Sequence, residues 1–177
     1  MPDNSATPSS PAASSSSAEG QSEGTSSRPA AEVYKKFMAM TAAAVEATGS
    51  AGWTYQDGSA WDPAGPDLVF HPQRCTDNAD GHDARDLQLE LEAPAPADAR
   101  EARDAMRTYL EGSGFTLRSV IDAPDGTESN LPYTVAAAGQ DGELIVYSAN
   151  RLGEFLSLES ECSDHPSLQQ DVGAETR

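Results

Sequence analysis

Apolar side chains between residues 29 and 48 fall on one helical stripe. Val33, Phe37, Met40, Ala44 and Thr48 recur every three or four positions, and Tyr34, Met38, Thr41 and Val45 widen the band. That period predicts a helix with one dry face. Pro29 suits its first turn, Glu32 its electropositive end, and Gly49 its stop. A second stripe, Ala99, Ala102, Met106, Tyr109 and Leu110, predicts another helix. It opens with Asp98 and Glu101 at capping-box spacing and closes at Gly112 and Gly114. Arg100 with Asp104, and Arg107 with Glu111, fall four residues apart on its wet side.

The rest of the pattern has a period of two. Trp53 and Tyr55 share one face of a short strand before the Asp57-Gly58 turn, and Trp61 sits in a Gly/Pro-broken loop. Leu68 to Phe70 reads as a short strand, and Pro72 prevents it from continuing as a central one. Leu87, Leu89 and Leu91 alternate with Gln88, Glu90 and Glu92, which predicts a strand dry on one side and wet on the other. After the second helix come four apolar runs, 115–121, 133–138, 144–148 and 155–162. Asp-Gly turns follow the first two of them, a strong short-range hairpin signal. The expected fold is α+β in two layers, with two helices packed on one face of a mostly antiparallel sheet and one disulfide.

Composition sets the boundaries. Residues 1–28 are Ser, Pro, Ala, Gly and Thr with a few acids, and no large apolar side chain precedes Val33 apart from Met1. Such a stretch cannot offset its ordering entropy by burial and is expected to be a disordered tether. Residues 29–163 are expected to form a single domain, and residues 164–177 a loose tail. The chain carries a net charge of −18, from 29 acids against 11 bases. That balance argues against nucleic acid and anionic headgroups as partners, because both require basic surface.

Cys75 and Cys162 are the only cysteines. They lack the Cys-x-x-Cys spacing of a redox pair, and three scattered histidines cannot complete a zinc site. On the predicted last strand, Cys162 shares parity with Leu156, Leu158 and Ser160. Cys75 lies in a polar stretch, Gln73-Arg74-Cys75-Thr76-Asp77, a poor home for an inert thiol. The pair is read as a disulfide, with two free thiols as the alternative. A disulfide implies an oxidising compartment. Met1-Pro2-Asp3 begins no apolar leader, so an export segment and a lipid anchor are expected upstream, with the tether as spacer.

Catalytic signatures are missing. Asn78, Asp80 and Gly81 match three places of a calcium-binding EF-hand loop, but Thr76 and Leu87 occupy places that need carboxylates. An irregular cation site on Asp77, Asp80 and Asp83 is a weak candidate beside a solvated acidic loop. His71 and His82 flank Cys75 without ligand spacing, and Ser113 lies in a helix stop rather than a nucleophile elbow. No cofactor and no enzymatic activity are expected.

The order helix, Trp53-Thr54-Tyr55-Gln56-Asp57, Cys75, strand, helix ending in Gly112-x-Gly114, four strands and Cys162 resembles the LppA-like lipoproteins of actinobacteria. The resemblance covers about residues 30 to 163, and this chain departs from it in a longer, more acidic segment around Cys75. It implies an exported, membrane-tethered domain with a disulfide of the same kind, and no catalytic residues. The expected function is a non-enzymatic cell-envelope domain, monomeric, that binds a protein or small ligand. The candidate surface is the wet sheet face plus the loop from Pro63 to Asp86, with Trp61, Phe70 and His82 as its candidate binding residues. The alternative is an acidic inhibitor or immunity-like protein that masks a basic partner.

Overall fold

The computed structural model describes residues 25–64, 68–75, 83–124 and 130–173. Its first element, α1 (Ala30–Thr48), buries Val33, Tyr34, Phe37, Met38, Thr41 and Ala44 and ends at Gly49 in the left-handed region (φ 67°). Strands β1 (Thr54–Tyr55), β2 (Gln73–Arg74), β3 (Arg85–Asp86) and β4 (Gln88–Pro94) follow. Then come α2 (Ala99–Gly112) and four strands: β5 (Thr116–Ile121), β6 (Tyr133–Ala138), β7 (Leu144–Ala149) and β8 (Gly153–Glu159). A short 3₁₀ helix spans Pro166–Gln169.

Six strands form one antiparallel sheet in the order β1-β4-β8-β7-β6-β5, and β2 pairs with β3 in a separate ribbon. The meander β5 to β8 is built from adjacent hairpins, as the turns predict. Strand β4 reaches β8 across α2, so the middle of the sheet joins the two halves of the chain. Both helices lie on one side. Helix α2 packs on β5, β6 and β7, and α1 packs beside α2.

The core lies between these layers. Leu89 and Leu91 of β4, Val135 and Ala137 of β6, Ile145 and Tyr147 of β7, and Leu156 and Leu158 of β8 face Phe37, Met106 and Leu110 of the helices. Alternation in the strands and the helical stripe therefore meet at one interface, the two-layer α+β arrangement the pattern predicts. At the N-terminus of α2, the Asp98 carboxylate accepts from the backbone N–H of Arg100 and Glu101 at 2.8 and 3.0 Å. Buried Arg103 binds this helix to the end of β5, donating to the Ile121 carbonyl at 3.0 Å and to Asp122 at 2.6 Å. Asp104 consequently pairs with Arg103 rather than with Arg100, whereas the Arg107–Glu111 pair forms as expected.

Several expected boundaries move. Ser26 bridges to Ser163, and Ser163 Oγ donates to the Arg28 carbonyl, so order begins before residue 29. Residues 1–24, assigned to the tether, lie outside the described residues. The stretch from residue 164 to 173 is not loose: Leu168 and Val172 are fully buried, and Val172 exchanges two backbone hydrogen bonds with Phe70. Two apolar residues dock this otherwise polar tail, together with hydrogen bonds from the Ala30 N–H to Ser167 and from Gln169 to the Asp83 carbonyl. The expected strand at Leu68–Phe70 is that single bridge; the local strand is β2, after Pro72.

Candidate functional site

The disulfide joins Cys75 to Cys162 across 87 residues, with the two Cα atoms 6.2 Å apart. It ties the end of the β2–β3 ribbon to the segment after β8. Alternation along β8 breaks just before that point. Ser160 and Glu161 are both buried, so Cys162 is half-buried and does not continue the leucine face. Cys75 is buried, and its N–H donates to the Ala84 carbonyl.

The sheet face opposite the helices carries no second layer among the described residues. Register places three rows on it: Gln88, Glu159, Leu144 and Ala138; Glu90, Ser157, Val146 and Ala136; Glu92, Phe155, Ser148 and Thr134. Leu144, Val146, Phe155 and Ala136 are half-buried at the centre, while Gln88, Glu90 and Glu92 on β4 are exposed. An apolar middle thus adjoins a negatively charged flank. On that flank a depression of about 490 Å³ is lined by Tyr55, Gln56, Asp57, Gln88, Glu90 and Glu159, among others. Its edges are ordered: Gln56 donates to Glu90, and the Ser59 hydroxyl and N–H, both donating to Asp57, hold that carboxyl below its ordinary range. Far across the sheet, Ile121 at the end of β5 is exposed.

The other expected surface residues fall differently. Phe70 is core, in edge-to-face contact with Tyr34 and Phe37 at 5.8 and 5.5 Å between ring centroids. Trp61 is half-buried against Tyr55, with its backbone N–H on the Trp53 carbonyl, so it props β1 rather than presenting a free face. His82, Asp77 and Asp80 lie outside the described residues. Asp83 forms ion pairs with Arg74 at 3.0 Å and Arg85 at 3.5 Å, which leaves its charge neutralised by the ribbon.

A charge cluster that the sequence pattern did not reveal lies at the β6–β7 turn and at Glu161, next to Cys162 in the chain. Asp141, Glu143 and Glu161 bring carboxylate oxygens within 4.8 Å of one another. Lys36 Nζ sits among them, 2.6 Å from Asp141 and 2.8 Å from Glu161, and also pairs with Glu143. Arg28 pairs with Asp141 at 3.0 Å and with Glu161, whose other oxygen accepts from Ser26 at 2.7 Å. The hydrogen bonds from Lys36 and Arg28 hold the Asp141 carboxyl below its ordinary range. The Lys36 ammonium is pushed above its ordinary value: its hydrogen bonds to the carboxylates outweigh desolvation, the largest single influence, which acts the other way. The three acids are met by two cations of the chain itself, and the cluster straps the segment before α1 to the β6–β7 turn. A sequence signal for it existed. Lys36 lies three residues after Val33 and four before Met40, on the edge of the dry stripe.

No protein-family model matches the chain, and no curated protein and no solved structure matches it.

Proposed function

We propose that this chain is an extracytoplasmic binding domain without enzymatic activity, and that it docks a basic protein on the open face of its sheet. The observation that carries the reading is the layout of that face, with Leu144, Val146 and Phe155 beside Glu90, Glu92 and Glu159. Half-buried apolar side chains on a sheet face that no second layer covers among the described residues supply contact area, and a one-sided acidic flank supplies orientation and rapid encounter with a cationic partner. The disulfide supports an oxidising location. The Ser/Pro/Ala-rich leading segment and the resemblance to LppA-like lipoproteins support a tether to the outer face of the cell membrane. No helix among the described residues is long and apolar enough to cross a membrane. The net charge of −18 favours, within this reading, a masking role toward a basic enzyme.

The test is capture from envelope extract on the immobilised oxidised domain, with Glu90→Lys/Glu92→Lys and Val146→Asp variants in parallel. The expected result is a basic protein retained by the wild type, lost by both variants and released by salt. Identical capture by all three proteins, or capture indifferent to salt, would sink the proposal.

A further inference from the structure

Asp86 stands apart from the other acids of the chain. It is 4% exposed, and its carboxylate lies with the sulfurs of Cys75 and Cys162 in a group whose atoms are all within 4.8 Å of one another. Among the described residues it has no cation partner. Gln88 of β4 donates to it at 3.3 Å, and Glu159 of β8 faces it with a like charge. The nearby arginines are committed elsewhere: Arg74 to Asp83, and Arg85 to Asp83, Gln169 and the Pro72 carbonyl. Burial and the facing Glu159 let this carboxyl keep its proton further up the pH scale than an ordinary aspartate does, and a protonated acid beside a disulfide is a proton source for a departing thiolate.

We propose that Asp86 makes the Cys75–Cys162 clasp a site of proton-coupled exchange with an external dithiol. Cys162 is the half-buried residue of the pair and Cys75 the buried one, so the Cys162 sulfur is the one attacked. A thiolate of the dithiol bonds to Cys162 Sγ, the S–S bond breaks, and its electron pair leaves on Cys75 Sγ. The Asp86 carboxylic acid gives its proton to that sulfur and becomes a carboxylate. The second thiol of the reagent, ionised to its thiolate, then attacks the mixed disulfide and leaves as part of a cyclic disulfide. Cys162 departs as a thiolate and takes up the proton that thiol released. Asp86 recovers a proton from solvent. Two protein thiols and one oxidised dithiol result, and the ribbon is released from the end of β8. This inference is independent of docking at the sheet face.

The test follows reduction of the oxidised full chain by dithiothreitol, with the rate divided by the thiolate concentration. Burial and the facing Glu159 raise the Asp86 carboxyl to about 6. Its protonated fraction, and with it the normalised rate, should fall about tenfold between about pH 5 and about pH 7. In Asp86→Asn the profile should be flat. In Glu159→Gln, which keeps the acid but removes the like charge, the midpoint should move to lower pH. Reduction through global unfolding would run in the opposite direction, because a raised native carboxyl lowers stability as pH rises. A normalised rate that is flat or rises with pH in the wild type, an Asp86→Asn profile that reproduces the wild type, or an unmoved midpoint in Glu159→Gln would each overturn the proposal.

Discussion

Replacing both cysteines by alanine isolates what the clasp contributes to stability. The closed loop spans 87 residues. The chain-entropy relation for a loop of that size gives about 4.6 kcal/mol at 25 °C, acting on the unfolded chain. Engineered cases usually deliver less than this relation predicts, and the β2–β3 ribbon retains other ties: the Phe70–Val172 bridge and the Arg85–Ser163 bridge both survive the substitution. The expected loss is therefore about 3 to 4 kcal/mol, or on the order of 10 °C in melting temperature for a domain of this size. Urea unfolding of Cys75→Ala/Cys162→Ala against oxidised wild type would measure it, and reduced wild type controls for the lost sulfur packing. If the contribution comes from restricting the unfolded chain, the denaturant slope should rise when the link is removed, because the unfolded state becomes less compact. A loss below about 1 kcal/mol, or a full loss with an unchanged slope, would refute an unfolded-state origin.

The Lys36→Met variant should lose about 2 to 3 kcal/mol in urea unfolding, since it leaves Glu143 and Glu161 buried with only Arg28 to balance them; a cost near zero would mean that water already screens the cluster. Removing the helix cap with Asp98→Ala should cost about 1 kcal/mol by the same measurement. A Cβ at Gly153 would lie 2.8 Å from the Ala93 carbonyl oxygen across the β4–β8 pair, so Gly153→Ala should destabilise by about 1 to 3 kcal/mol and shift the amide signals of both strands. Asp86 should make stability fall as pH rises. Its native carboxyl titrates at about 6 against 3.8 for the ordinary group, so the native state binds the proton more tightly between those values. Below about pH 4 both states are protonated and no cost exists; above about pH 6 the cost is complete, at about 2 to 3 kcal/mol. Asp86→Asn should accordingly be more stable than wild type at pH 7 by about that amount, with the difference vanishing near pH 4, as paired urea titrations would show.

The parts of the fold that depend on repetition were legible in the sequence. The stripe from Val33 to Ala44, the alternation Leu87-Leu89-Leu91 and the capped start at Asp98 each repeat a local rule, and each element forms where the rule puts it. Single residues that act at a distance were not legible. Phe70 precedes His71 and Pro72 at the end of a short apolar run in a loop-rich stretch, which suggests exposure, yet Tyr34 and Phe37 pack on it and Val172 bridges to it. Leu168 and Val172 carry no periodic signal, so the tail they anchor read as loose. Simple alternation from Leu156 and Leu158 would put Glu161 on the wet face. The irregularity at Ser160, whose hydroxyl accepts from the Leu87 N–H, turns it inward to meet Lys36 and Arg28. A one-residue change of phase reverses every side chain after it, and no local pattern announces such a change.

The acidity of this chain is therefore not a single property. Among the described residues, four carboxylates are buried: Asp86, Glu143, Glu154 and Glu161. Burying a charge without compensation costs several kcal/mol, so what faces each acid decides its role. Glu143 and Glu161 meet Lys36 and Arg28, and they join the chain segment before α1 to a hairpin turn far along the sequence. Glu154 accepts hydroxyl hydrogen bonds from Tyr147 at 2.8 Å and Ser50 at 2.5 Å, and so fastens the second residue after α1 to β8. Burial and that hydrogen bond together push the Tyr147 hydroxyl well above its ordinary value, which keeps it a donor at any pH where the fold persists. These three acids are stitches, and their partners were supplied with them. Asp86 has a single amide and two sulfurs. An acid left uncompensated beside the one covalent cross-link costs stability at neutral pH, and a purely structural disulfide would hold as well with leucine or asparagine in its place. The cost is accounted for if the proton this acid holds below about pH 6 is used when the cross-link opens.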